Sequence, residues 1–160
     1  MDKINIEDAR VVLSPLDVHS ERRPISYELG TTDFVMNFFR LEPGESIAGL
    51  FHKHDDQEEV FYVEKGIATF TVGEDKKTVK VKEGELIRFP PGEFQRGDNK
   101  DDEPLTVWAI GAPGAGHDPD EVSVLYPCNR CQEETIHEID RSTIGETRVI
   151  CNECSNDEIL

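Results

Sequence analysis

Two sets of residues carry the chemistry. All four cysteines lie near the end of the chain, as Cys128-Asn129-Arg130-Cys131 and, 19 residues on, Cys151-Asn152-Glu153-Cys154. Two C-x2-C knuckles at this separation put four thiolates on one ion. Four thiolates close a tetrahedral zinc site with no open position, so such a site is structural. An iron centre uses the same four thiolates, and two disulfides would suit a secreted chain. Gln132 and Ser155 stand where a glycine often follows the second cysteine of a knuckle. The segment is too short and polar to fold on a hydrophobic core. The metal supplies its folding free energy, on the order of 10 kcal/mol.

The second set is His52-x-His54 followed by Glu59. In a strand, residues two apart share a face, so His52 and His54 project together. Glu59 opens the next apolar run and can return a carboxylate to the same spot. Two imidazoles and a carboxylate form the facial set that holds Fe(II) with positions open for a ligand, and the same set accepts Zn, Mn, Ni or Cu. The plainer reading is a pair of surface histidines beside a solvated acidic loop, Asp55-Asp56-Gln57.

These residues need strands to hold them. Residues 1 to about 125 are divided into short runs by Gly and Pro. Arg10–Leu13 ends at Ser14-Pro15, Phe34–Leu41 at Pro43-Gly44, Ile67–Val72 at Gly73, and Leu86–Phe89 at Pro90-Pro91-Gly92. Many short strands at this spacing predict an all-β sandwich or barrel. Within one run Ala68, Phe70 and Val72 alternate with Thr69 and Thr71, as a half-buried strand does. The predicted organisation is an N-terminal arm over 1–29, a barrel over 30–125 and the four-cysteine segment over 126–160. The arm, which shows no clear period, is read as a piece that could lie on a neighbouring subunit.

Composition narrows the partners. Asp plus Glu is 34 against 17 for Lys plus Arg, a formal net charge of −17. Phosphate backbones need clustered Lys and Arg. The tail offers only Arg130, Arg141 and Arg148 among many acids, so nucleic acid is excluded. Anionic membranes are excluded for the same reason. No apolar run is long enough to span a bilayer. The opening MDKINIEDAR is acidic and polar, unlike a secretory signal, which predicts a cytoplasmic protein. Acid spread over a folded domain also suits a salt-loving organism, where self-repulsion is screened.

The barrel segment resembles the cupins. Their first motif, G-x5-H-x-H-x(3,4)-E-x6-G, is matched by His52-x-His54-x4-Glu59-x6-Gly66, with Ser46 at the leading glycine. The spacing selects Glu59 rather than Glu58. Their second motif, G-x5-P-x-G-x2-H-x3-N, is matched by Gly84-x5-Pro90-x-Gly92-x2-Gln95-x3-Asn99, with Gln95 in place of the histidine ligand. The resemblance covers roughly residues 30 to 112. It implies a double-stranded β-helix (jelly-roll) barrel followed by a small zinc-ribbon-like appendage. It also implies a homodimer, and a divalent metal (Fe, Zn, Mn or Ni) on His52, His54 and Glu59, with Gln95 as a weak fourth position. By alternation, Phe61 and Val63 share the face of Glu59, and Phe61, Phe38 and Trp108 are candidate pocket walls. Arg40, Arg88 and Arg96 are candidates to meet an anionic substrate, with surface exposure as the default for Arg88.

Phe51-His52, Glu58-Glu59-Val60-Phe61-Tyr62, Lys65-Gly66, and Tyr126-Pro127-Cys128-Asn129-Arg130-Cys131 with Ile136-His137-Glu138 are also similar to bacterial 3-hydroxyanthranilate dioxygenases. These are small cupins with a C-terminal four-cysteine metal site. Ala48 and Asn99 fall where that family carries substrate-clamping arginines, so the resemblance is one of architecture. The expected function is a metal-binding cupin acting as an Fe(II)-dependent, dioxygenase-like enzyme on a small molecule. The alternative is a non-catalytic small-molecule, metal or protein-interaction module with a structural zinc ribbon. Isomerase or lyase chemistry would need a general base besides the metal, for which Tyr62 and Glu93 are candidates.

Overall fold

The computed structural model describes residues 1–14, 16–114, 122–140 and 146–160, so Pro15 and Arg141 lie outside the described residues. The strands among these are β1 (Glu21–Arg23), β2 (Val35–Leu41), β3 (His52–His54), β4 (Glu58–Lys65), β5 (Ile67–Val72), β6 (Lys77–Lys82), β7 (Leu86–Phe89), β8 (Gln95–Asp98), β9 (Leu105–Ala112), β10 (Val122–Cys128), β11 (Glu133–Asp140), β12 (Arg148–Cys151) and β13 (Asp157–Ile159). A single turn of 3-10 helix, Ile6–Asp8, and a short helix α1 (Ile25–Leu29) belong to the arm. The Gly and Pro punctuation sets the strand ends. Gly66, between β4 and β5, has φ +87°, and a Cβ there would lie 2.8 Å from the carbonyl oxygen of Pro104. Only glycine fits that turn.

The strands form two antiparallel sheets. One runs β1-β2-β9-β4-β7 and the other β13-β12-β11-β10-β3-β8-β5-β6. The barrel core lies between them. Phe61, Phe70 and Phe89 meet there with ring centroids 5.0 to 5.8 Å apart, beside the fully buried Leu41, Val63, Leu105 and Val107. Truncating one such ring to alanine costs about 3–5 kcal/mol. The fold is an all-β jelly-roll barrel, as the strand punctuation predicts.

The arm closes the outer face of the first sheet. β2 is apolar on both faces, so alternation alone does not say which phenylalanine faces in. Phe39 packs in the barrel core. Phe38 packs outside it, edge-on to Trp108 at 5.1 Å, under Ala9, Ile25 and Leu29. Arg23, 8% exposed, ties the arm down by donating to the carbonyls of Ile6, Glu7 and Ala9 at 2.8 to 2.9 Å. These arm residues pack on the barrel of their own chain. The arm also crosses Gly49, where a Cβ would lie 2.9 Å from Leu16 and 3.0 Å from Val18.

The four-cysteine segment continues the second sheet. β10 pairs with β3 on one side and with β11 on the other. It runs unbroken through residues 125 and 126. Val122, Val124, Ile139 and Val149 form a second small core, with Leu50, Tyr126 and Leu160 packed against it. No helix among the described residues is long and apolar enough to cross a membrane.

Candidate functional site

β3 and β4 come from different sheets and bring His52, His54 and Glu59 together. One ligand atom from each lies within 4.8 Å of the others. His54 and Glu59 are 8% and 6% exposed. Alternation along β4 turns Glu59, Phe61 and Val63 inward. It turns Glu58 outward, onto Arg88. His54 Nε2 is 3.4 Å from Glu59 Oε2. Donors about 2.0–2.1 Å from a tetrahedral ion stand close to that far apart. His52 Nδ1 donates to the Leu50 carbonyl at 3.0 Å. This fixes the tautomer and leaves the Nε2 lone pair for the site. Two imidazole nitrogens and a buried carboxylate are the donors a divalent cation takes, so the residues fit such an ion.

Gln95 stands opposite His52 across β8 and β3 and is 3% exposed. Its Nε2 donates to Glu59 Oε2 at 2.8 Å and faces His52 Nε2 at 3.2 Å. A carboxamide ligates through oxygen and donates through nitrogen. In this arrangement Gln95 is a hydrogen-bond donor to the ligand set.

The cluster opens on a cavity of about 210 Å3 between the sheets. Phe61 lines it, and so do Val122, Val124 and Ile139 from the four-cysteine side. Phe38 and Trp108, candidate walls on the sequence, do not, because both lie on the outer face under the arm. Arg40 is bound to Glu7 and Glu21 on that same side. Arg88 pairs with Glu58 and Arg96 with Asp98. None of the three, nor Tyr62 or Glu93, lines the cavity. Asn99 is a structural clamp, donating to the Leu41 and Glu103 carbonyls at 3.0 Å each.

His19 and Arg22 also line the cavity. Sequence reading missed both. Arg22 is the middle residue of the three-residue β1 and His19 precedes that strand, so no period-2 pattern points them at a common face.

The four cysteine sulfurs also lie within 4.8 Å of one another. Sγ of Cys128 and Cys154 are 3.6 Å apart, and those of Cys131 and Cys151 3.9 Å. A tetrahedron with Zn–S bonds of about 2.3 Å has edges of about 3.8 Å, so the thiolates fit a structural zinc. Each knuckle closes in the same way. Gln132 N donates to the Cys128 carbonyl at 2.9 Å and Ser155 N to that of Cys151 at 2.8 Å. Both residues have positive φ, 63° and 57°. That explains the glycine often found there. Thr135 Oγ1, 3.2 Å from Cys151 Sγ, stabilises that thiolate and draws it down to about 6. Hydrogen bonds from the other sulfurs, chiefly Cys154, push Cys131 up. His137 is fully buried and donates from Nδ1 to the Thr135 carbonyl at 2.9 Å. It is a strand residue beside the sulfur cluster and not part of it.

Comparison with known proteins places this architecture. Residues 37–111 match the cupin domain family. An uncharacterized protein of Methanocaldococcus jannaschii is 30% identical over 73 residues, 46% of this chain, and the match spans 57% of that relative's length. A sugar phosphate isomerase from a cupin superfamily of Silicibacter pomeroyi superposes with a TM-score of 0.63 at 20% identity, covering 99% of this chain and 92% of its own. A polyketide cyclase of Streptomyces resistomycificus superposes with a TM-score of 0.66 at 20% identity, covering 81% and 88%. At these identities the likeness is one of fold. Residues 37–111, which run from β2 to β9, thus match the cupin domain family on a two-sheet jelly roll, the fold of the cupin-superfamily structure on which the chain superposes.

Proposed function

We propose that the barrel binds a divalent cation on His52, His54 and Glu59 and acts as an enzyme on a small molecule, with Fe(II)-dependent, dioxygenase-like chemistry as the first reading. The observation that carries it is the convergence of three ligand atoms within 4.8 Å on the wall of a cavity between the sheets. When bound, the ion supplies Lewis acidity or, as iron, redox capacity. The chain's own residues do the rest. Leu50 holds His52 in the tautomer that presents Nε2. Gln95 orients Glu59 and His52. Phe61, Val122 and Ile139 exclude water. The four cysteines hold a structural zinc that supports the wall. One structural relative is called a sugar phosphate isomerase and another a polyketide cyclase. These names differ in reaction, so the fold alone selects neither.

The second reading is a non-catalytic binding module. It is favoured by Gln95, whose amide nitrogen faces both His52 and Glu59 and joins them in a polar network.

The test is oxygen uptake by protein loaded anaerobically with Fe(II), across small phenols and enediols, against a His52→Ala/His54→Ala variant. Uptake that vanishes in the variant supports the enzyme. Ligand binding without turnover under any metal selects the binding module.

A further inference from the structure

The cavity has a second polar wall that the metal ligands do not use. Arg22 stands opposite Phe39 in the pairing of β1 with β2. Phe39 faces the barrel interior, so Arg22 does too. The flanking Glu21 and Arg23 turn outward, to Arg40 and to the arm carbonyls. His19 is 7% exposed, and its ring stands edge-on to Phe39 at 5.3 Å. Its Nδ1 donates to the Ser46 carbonyl at 3.1 Å, which leaves the lone pair on Nε2. That nitrogen is buried and has no hydrogen-bond partner among the described residues. Burial, and then the charge of Arg22, hold this imidazole below its ordinary range and keep it a neutral acceptor. Both residues line the cavity that His52, His54 and Glu59 line.

A buried acceptor without a partner is rare in a folded protein and calls for one. A lone pair needs an O–H or N–H. The guanidinium fork matches a carboxylate. No other Lys or Arg lines the cavity among the described residues. About 210 Å3 lies below the roughly 300–1,000 Å3 of sites for drug-sized ligands. The ligand must be compact.

We propose that His19 and Arg22 are the recognition wall of this cavity and that its ligand is a small hydroxy acid, the carboxylate on Arg22 and the hydroxyl donating to His19 Nε2. The proposal rests on the cavity being the ligand site, as the proposed function has it, and not on the ion. The arm is thereby part of the site as well as a cover for the outer sheet.

The test is an amide NMR titration with lactate, propionate, propane-1,2-diol and inorganic phosphate. It is run on zinc-loaded wild type, Arg22→Gln, His19→Gln and the His52→Ala/His54→Ala variant. Lactate carries both groups, and propionate and the diol carry one each. Lactate is expected to bind roughly tenfold tighter than either. Arg22→Gln should erase the advantage over the diol, and His19→Gln the advantage over propionate. The ordering should survive in the variant without metal ligands, which separates the wall from chelation by the ion. Where Arg22→Gln loses amide dispersion, Arg22→Lys and the wild-type ratios decide. Equal affinities for the three organic probes, or phosphate binding tighter than lactate, overturn the proposal. Loss of metal binding with the ordering intact would sink the enzyme reading and leave the wall. Metal binding without the ordering would do the reverse.

Discussion

Val124 stands opposite His52 in antiparallel register, and Gln95 faces His52 from the other side. Three strands thus set a hydrophobic wall residue, a metal-ligand candidate and its hydrogen-bond donor in one row. The strand that begins at Val122 ends at Cys128. The four-cysteine knot is therefore tied by backbone hydrogen bonds to the strand that presents both imidazoles, with Leu125 N donating to the Phe51 carbonyl at 2.9 Å.

That continuity predicts coupling between the two metal sites. Replacing Cys128 and Cys151 by serine should unfold β11 to β13 and release Val122 and Val124. The core around Phe61, Phe70 and Phe89 should stay protected in hydrogen exchange. Divalent-metal affinity at His52, His54 and Glu59 should fall roughly tenfold, as it does when residues supporting metal ligands are lost. Isothermal titration of both proteins measures this. Unchanged barrel affinity would mean that the ribbon is an independent appendage.

The place of Gln95 predicts that Gln95→His tightens zinc binding by roughly tenfold or more, by adding a third imidazole to a set that already holds two. Gln95→Ala should weaken binding about tenfold, because Glu59 and His52 lose the donor that orients them. Competition with a chromogenic chelator reads both. Equal affinity in all three proteins would show that Gln95 lies too far from the ion to matter.

His19 predicts a pH dependence. Burial lowers its pKa in the folded chain, so the unfolded chain binds the proton more readily. The stability it contributes is complete above about 6.5, the ordinary imidazole value, and is lost as pH falls through the lower folded value. The thermal midpoint should drop more between pH 7.5 and pH 5 in wild type than in His19→Phe. Parallel drops would remove His19 from the account.

Spacing made both ligand sets legible, because a strand period of two and a C-x2-C knuckle are local geometry. The strand ends were legible from Gly and Pro. The faces of β2 were not. Phe38 and Phe39 are both buried, so hydropathy carried no information about which pointed in, and Phe38 and Trp108 went to the outer face. The arm was unreadable for a related reason. β1 has only three residues, too few to show a period, and its inward residue is an arginine. The role of Arg22 follows only from its register with Phe39. The extension of the barrel sheet into the ribbon was also hidden, since Val122–Leu125 reads as the last run of the barrel region, whereas the strand continues to Cys128.

The most direct test of the account is elemental analysis of untagged protein beside the Cys128→Ser/Cys151→Ser and His52→Ala/His54→Ala variants. The account predicts two ions per chain in wild type: zinc lost with the cysteines, and a second divalent metal lost with the histidines. One ion per chain, lost only with the cysteines and not regained by the barrel on incubation with Fe(II), Zn(II), Mn(II) or Ni(II), would contradict the barrel metal centre and leave the chain a binding module.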